Sequence, residues 1–383
     1  MFEAAVETLP WDEQARLDDG LYRRQISYLL EHSRFYRDKL GSAGIASAAK
    51  IGGLDAIAKL PFTEKSEIRA SCDGDNPIGS HLCVAPSDIV RIYSTSGTTG
   101  TPSYIPLTSA DLDNWVTTSA RSYAAAGISR GEGIVTTYNA GPFVAGAALA
   151  AFDRLGMCHI PVGTGNTERL MTALRARLEE AWGAKVTEAM GIGDIGVSLW
   201  GECEQQRGMH LGGRGFVHAE LIDPETGAAL AMADGAKGEL VLTHLRHRAA
   251  PLLRFRTRDH VQVWTSPCKC GRTAPRVRCI GRTDDMLIVR GVNVFPSALR
   301  QAIGEFMPAV SGMMVVKPAV PGVRQEPPLP VAVELAKGSE ASPGLAEAIG
   351  KRIREVLAVS VRIELVPWGS LQRSEYKSKL VQH

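Results

Sequence analysis

Four segments in succession, Ile134-Val135-Thr136-Thr137-Tyr138, Asn139-Ala140-Gly141-Pro142, Val144 to Leu155 and Met157-Cys158-His159-Ile160-Pro161-Val162, set the fold class. The first is short and β-branched and reads as a buried strand, and the second is a turn. The third is rich in small residues and reads as a closely packed helix, and the fourth is a further strand. Strand, helix and strand in that order imply parallel pairing with a crossover helix. The predicted fold is therefore α/β, in which ligands gather at the carboxyl ends of strands.

Upstream, residues 11–40 are predicted helical, with Leu17, Leu21, Ile26, Leu29 and Leu30 forming one apolar stripe. Leu60-Pro61-Phe62-Thr63-Glu64-Lys65-Ser66-Glu67-Ile68 follows, where Thr63 or Ser66 is the expected cap of a short helix. Ser109 to Ala126 reads as another helix. Between these lies Tyr93-Ser94-Thr95-Ser96-Gly97-Thr98-Thr99-Gly100-Thr101-Pro102, after the strand-like Asp88-Ile89-Val90-Arg91-Ile92. Taken alone this loop has two readings, a surface turn or a cradle of backbone N–H groups and hydroxyls around an anion such as a triphosphate. No Gly-Lys-Ser/Thr follows, so it is not a Walker loop.

Beyond Gly215 the texture changes to strands and turns. His218 to Asp223, the turn Pro224-Glu225-Thr226-Gly227 and Gly238 to Thr243 point to a small β-rich subdomain. The last hundred or so residues alternate strand and helix again: Met286–Val289, Ser297–Glu305, Gly312–Val316, Val331–Leu335 and Leu345–Ala358. They are enough for a compact α+β domain.

The chain of 383 residues is long enough for two or three domains. Its 43 basic and 41 acidic residues leave a net charge of +2. No field of one sign recruits nucleic acid or a membrane surface, so a small molecule is the expected partner. A basic leader and a bilayer-length apolar run are both missing, and a cytoplasmic setting is expected. Seven cysteines in so long a chain do not suggest a disulfide framework, and clustered ones suggest metal. Cys268-Lys269-Cys270, with Cys203 and His210 upstream, supplies three thiolates and an imidazole. That set suits a closed tetrahedral zinc site, the alternative being unrelated thiols and an ordinary histidine.

Five ordered motifs make the chain resemble the phenylacetate–CoA ligase family of adenylate-forming enzymes. They are Leu60 to Lys65, the hydroxyl- and glycine-rich loop, Pro161-Val162-Gly163-Thr164-Gly165-Asn166-Thr167-Glu168-Arg169, Arg254-Phe255-Arg256-Thr257-Arg258-Asp259 and Gly281-Arg282-Thr283-Asp284-Asp285 running on to Pro296. The resemblance covers nearly the whole chain. It implies an N-terminal adenylation domain over 1–281 and a mobile C-terminal domain over 282–383. The implied reaction has two steps: a carboxylic acid attacks the α-phosphate of ATP with Mg²⁺ present, giving an acyl-adenylate and pyrophosphate, and coenzyme A then displaces AMP. An aryl acid is the expected substrate class.

Residue by residue, the resemblance makes Thr95, Ser96, Gly97, Thr98, Thr99 and Gly100 the ATP-phosphate loop. Asp259 would hold the ribose hydroxyls and Arg282 the ribose or phosphate side. Asp284 matches the hinge and Lys377 the lysine of adenylation, while Gly291 would lie along the CoA channel. Asp194 matches a magnesium carboxylate, and Tyr138, Gly141 and Phe143 would line the acid pocket. Cysteine-bearing relatives imply a structural role for the zinc, and the family often forms homodimers.

The chain departs from the pattern at three places. Thr101 replaces the loop lysine, and Met190-Gly191-Ile192-Gly193-Asp194 carries Asp where the family carries Glu. The interval near 170–188 is shortened, without the segment that lines the adenine pocket. Two rivals therefore stand beside the ligase reading: an adenylating enzyme that passes the acyl group to a carrier protein or an amine, and a non-catalytic relative that binds nucleotide or acid.

Overall fold

The computed structural model describes residues 1–45, 47–74, 76–95, 103–136, 145–161, 185, 187–283, 285–290, 292–320, 323–371 and 381. Its elements are α1 Ala4–Glu7, α2 Trp11–His32, α3 Arg34–Ser42, α4 Lys65–Ala70, β1 Arg91–Thr95, β2 Ser103–Leu107, α5 Ser109–Ala125, β3 Gly133–Thr136, α6 Ala145–Leu155 and β4 Cys158–Pro161. There follow β5 Ala189–Ile192, β6 Gly196–Glu202, β7 Met209–Leu211, β8 Val217–Ile222, β9 Ala229–Leu230, β10 Lys237–His244, β11 Phe255–Trp264 and β12 Arg276–Arg282. The remainder is β13 Leu287–Val289, β14 Val292–Val294, α7 Pro296–Gly304, β15 Val310–Val316, β16 Arg324–Gln325, β17 Leu329–Leu335, α8 Pro343–Leu357 and β18 Val361–Val366. Two compact units are present. The first draws on Met1–Thr167, Thr187–Thr257 and Val261–Arg278, and the second, among the described residues, on Lys185, Arg258–His260 and the chain from Cys279 onward.

In the first unit the strand–helix–strand stretch is present as read: β3 and β4 pair in parallel, Ile134 opposite His159, with α6 between them in sequence. The helix after the hydroxyl-rich loop also forms. It starts at Ser109 because Thr108 caps it and Asp111 reaches back to the Thr108 N–H at 3.0 Å, a capping box worth about 1 kcal/mol.

The predicted single helix over 11–40 is two helices. Ser33 adopts an extended conformation and its hydroxyl accepts from the Tyr36 N–H, so it ends α2 and caps α3. Leu21, Ile26 and Leu29 are buried as expected, but Leu17 is 58% exposed, and Tyr22 and Tyr36 carry more of the packing. Neither Thr63 nor Ser66 caps α4. Glu64 does so in a box with Glu67, while the Thr63 hydroxyl donates to the Leu253 carbonyl.

The β-rich region is larger than the small subdomain expected. An eight-stranded sheet, in the order β5-β6-β7-β12-β11-β10-β8-β9, recruits strands from Ala189 onward. Its core holds Trp200, Leu240, Leu242, Val261, Val263 and Val277, all fully covered. In the second unit, β17 pairs in parallel with β18 and antiparallel with β15, and α7 and α8 supply Leu299, Ile303, Ile349 and Ile353 to its core.

Four histidines make the first unit acid-sensitive. Burial pulls His81 and His218 down to about 4 and His244 to about 3, and it lowers His247 as well. His244 is held neutral because its Nδ1 accepts from the Leu252 N–H at 2.9 Å while its Nε2 faces the Ile195 carbonyl at 3.0 Å. As pH falls below the ordinary histidine value, the unfolded chain takes up protons that the fold refuses, and stability drops. Asp18, raised to about 6 by burial, and Glu220, also raised by burial, act in the opposite sense and offset part of this. The expected result is a net loss between roughly pH 6 and 4.5, at about 1.4 kcal/mol per pH unit for each proton of difference between the unfolded and folded chain. Urea titrations at pH 8, 6 and 5 check this; a midpoint that does not fall from pH 6 to 5 contradicts it.

Candidate functional site

The phosphate-loop candidate sits on a hairpin. β1 and β2 pair antiparallel from Arg91 opposite Leu107 to Thr95 opposite Ser103, so the ladder closes at the last described residues on either side of 96–102. The loop therefore begins later than its composition suggests. Tyr93 belongs to the strand and is buried against Trp115, the two rings stacked at 6.2 Å. Of the proposed cradle, Thr95 is described as backbone, and Ser96, Gly97, Thr98, Thr99 and Gly100 lie outside the described residues. So do Tyr138, Gly141, Phe143, Asp284, Gly291, Lys377 and most of the shortened interval. At the foot of the hairpin Arg69 Nε donates to Ser103 Oγ at 3.2 Å.

Asp194 stands in the tight turn between β5 and β6, closed by the Ile195 N–H to the Ile192 carbonyl at 2.7 Å. Gly191 permits that turn, since a Cβ there would lie 1.6 Å from the Val197 carbonyl oxygen. The Asp194 carboxylate accepts from Lys65 Nζ at 2.6 Å, with the two side chains 14% and 30% exposed. Lys65 is the first residue of α4, whose capping box fixes the helix start. Buried His81 also feels the Asp194 charge, which opposes the desolvation that keeps its imidazole neutral. This pairing was not legible in the sequence, where 129 residues separate the partners.

Two motifs of the resemblance meet within the first unit. The Thr63 N–H donates to the Arg254 carbonyl at 3.0 Å and the Arg256 N–H to the Thr63 carbonyl at 3.1 Å. The Arg254 and Arg256 guanidinium groups lie 4.2 and 5.4 Å from the Phe62 ring. Arg254 pairs with buried Glu220 and Arg256 with buried Glu239. These arginines hold the fold together. In the second unit, by contrast, Asp259 is bonded directly to Arg282, Oδ1 to Nη1 at 3.2 Å, so the two candidate ribose residues stand together. Gly281 stands just before Arg282, where the Phe295 ring, 2.7 Å from where a Cβ would be, leaves no room for a side chain.

The structure also brings Cys203, His210, Cys268 and Cys270 together, with all four donor atoms within 4.8 Å of one another. Cys203 Sγ lies 3.7 Å from Cys268 Sγ, and Cys270 Sγ lies 3.3 Å from His210 Nε2. For sulfur about 2.3 Å and nitrogen about 2.0 Å from a tetrahedral ion, the donor–donor edges come to about 3.5–3.8 Å, so the spacing fits. His210 Nδ1 faces the Ala274 carbonyl at 3.4 Å, which leaves Nε2 as the ligand atom. The Cys203–Cys270 hydrogen bond raises the Cys203 thiol and lowers that of Cys270, because thiols packed this closely cannot all ionise without a cation.

Comparison with known proteins places this geometry. The chain is 30% identical to a phenylacetate-coenzyme A ligase of Thermus thermophilus, over 98% of this chain and 97% of that protein. It belongs to the phenylacetate-coenzyme A ligase family. The enzyme of that name from Escherichia coli is 28% identical over 97% of this chain and 95% of its own length. Residues 291–383 match the AMP-binding enzyme C-terminal domain. Among solved structures, 2-hydroxyisobutyryl-CoA ligase in the postadenylation state superposes with a TM-score of 0.83 at 24% identity, over 99% of this chain and 91% of that one, and so shares the fold. The alignment with the Thermus family member runs over 441 positions against 383 residues here, so that relative carries segments with no counterpart in this chain. No described helix is long and apolar enough to cross a membrane.

Proposed function

We propose that the protein is an ATP-dependent aryl-acid–coenzyme A ligase that forms an acyl-adenylate and then an acyl-CoA thioester. Near full-length kinship with phenylacetate-coenzyme A ligases carries this reading. The Asp259–Arg282 pair supports it, as two charged groups matched to the nucleotide's ribose are already oriented by each other. Carboxylate and triphosphate repel, so adenylation depends on fixed donors that hold the reactants in line. The hydroxyls and N–H groups of 95–100 are suited to the phosphates, and Lys377 to the charge that develops on them. Asp194 would hold magnesium, which when bound polarises phosphoryl oxygens. The second unit would swing about Asp284 between half-reactions, bringing Gly291 to the CoA channel. Tyr138, Gly141 and Phe143 would receive the aryl ring.

In this reading Cys203, His210, Cys268 and Cys270 hold a structural zinc. The ion would link the β6–β7 connection to the loop between β11 and β12 and take no part in the chemistry.

Acid-dependent exchange of labelled pyrophosphate into ATP, run across a panel of aryl acids, tests the activity. Exchange with at least one acid is expected, and it should fall about 100-fold or more in Asp259→Ala. Mass spectrometry of the product with coenzyme A present then separates thioester formation from transfer to another acceptor. The missing segments, Thr101 and Asp194 favour a second reading, a nucleotide- or acid-binding relative without turnover. Nucleotide binding with no exchange for any acid would establish that reading and overturn the first.

A further inference from the structure

The amino-terminal arm, Met1 to Pro10, buries almost no side chain of its own. Glu7 is its one buried residue, while Phe2, Val6 and Leu9 are half-exposed. At its start Glu3 pairs with Arg121 of α5 and Phe2 packs beside Val116 and Ala120, whereas from Glu7 to Leu9 polar bonds hold the arm, and these converge on Arg214 and on the residues that directly follow the cysteine pair. Arg272 Nε donates to Glu7 Oε2 at 2.7 Å, in an ion pair whose side chains are 8% and 5% exposed. The Thr273 N–H donates to the Glu7 carbonyl at 3.3 Å and the Thr273 hydroxyl to the Leu9 carbonyl at 2.5 Å. Arg214 completes the grip, donating to the Glu7 carbonyl at 3.0 Å, to Thr273 Oγ1 at 2.9 Å and to the Leu9 carbonyl at 2.8 Å. The other Glu7 oxygen accepts from the N–H groups of Phe2 and Glu3, at 2.8 and 2.9 Å.

Arg272 and Thr273 lie in the connection between β11 and β12, which has no helix or strand of its own. Cys268 and Cys270 occupy its middle, with Cys203 and His210 facing them from the β6–β7 side. A metal ion on these four donors would fix the connection at the point where Arg272 and Thr273 emerge. We infer that the Cys203–His210–Cys268–Cys270 centre is a fastening for the amino-terminal arm, so that loss of its metal loosens the arm from Glu7 to Leu9 while the eight-stranded sheet stays folded. The inference rests on the zinc reading above and adds the consequence of zinc binding.

The arm's retention of amide hydrogen tests it. Zinc in the purified full-length protein is measured by elemental mass spectrometry, and deuterium uptake is then followed in peptides covering 1–10 and 237–244 of β10. Samples are compared as isolated, after chelation and after zinc is returned. Uptake in the arm is expected to speed up at least tenfold on chelation and to recover with zinc, while the β10 peptide changes less than twofold. Glu7→Gln should free the arm with the zinc content unchanged, which separates the clamp from the metal site itself. Zinc lost without any change in the arm overturns the fastening and leaves the zinc reading standing. Faster uptake in arm and β10 alike also overturns it, since the metal would then support the whole unit. A protein that neither contains zinc nor takes up added zinc overturns both.

Discussion

Replacing Asp194 by asparagine is expected to slow acid-dependent ATP–pyrophosphate exchange by about 10²- to 10³-fold, the range for removing one group that stabilises transition-state charge. The carboxylate is held in place by the β5–β6 turn and paired with Lys65 at 2.6 Å, so its position is set before nucleotide arrives. That ammonium also competes with any cation for the same oxygen. Lys65→Met removes the competitor, and half-saturating magnesium in the exchange assay is expected to fall severalfold. Asp194→Glu restores the longer side chain of the family pattern and should retain most of the activity. The asparagine variant decides the matter: exchange within threefold of the unaltered protein at saturating magnesium would remove Asp194 from the reaction. Thermal melting of each variant shows whether a loss of rate is instead a loss of fold.

The parts of the fold that could be read from the sequence are those with local causes. β3, α6 and β4 follow from β-branched runs around a small-residue helix, and α5 starts where Thr108 and Asp111 can cap it. The break at Ser33 also has a local cause, but an extended serine inside an apolar periodicity is silent until its hydroxyl is seen to cap Tyr36. The sheet was underestimated for a different reason. β11, with Arg and Asp between its apolar residues, looks like a motif more than a strand, and its burial alternates only once neighbours lie on both sides. Among the site residues, the cysteines advertised themselves by chemical type. Lys65 did not, because an ordinary lysine at the start of a helix acquires meaning only from a carboxylate brought to it by tertiary folding.

The arginine-rich motif shows how one string of residues can serve two ends, and it leads to the largest stability effect expected for this chain. Arg254→Met should lower the stability of the first unit by about 3–5 kcal/mol, the range for stranding one partner of a buried ion pair. Arg254 is 2% exposed, pairs with Glu220 at 2.9 Å and donates to the Ala58 and Leu60 carbonyls at 3.0 and 2.5 Å. Methionine keeps the bulk beside Phe62 but satisfies none of these acceptors. Burial already raises the Glu220 carboxyl, and Arg254 holds it back. Without the guanidinium it should rise further, so the variant should lose stability as pH climbs above the ordinary glutamate range. Adding Glu220→Gln removes the stranded charge and should recover part of the loss and most of that pH dependence. Urea denaturation at pH 5 and pH 8 for the single and double variants measures both effects. A single variant within 1 kcal/mol of the unaltered protein at pH 8 would mean that the pair contributes little and that water reaches Glu220. The expected outcome instead assigns the first arginine of the motif to the fold and leaves Asp259, five residues on and bonded to Arg282, as the residue of that segment proposed to meet the nucleotide.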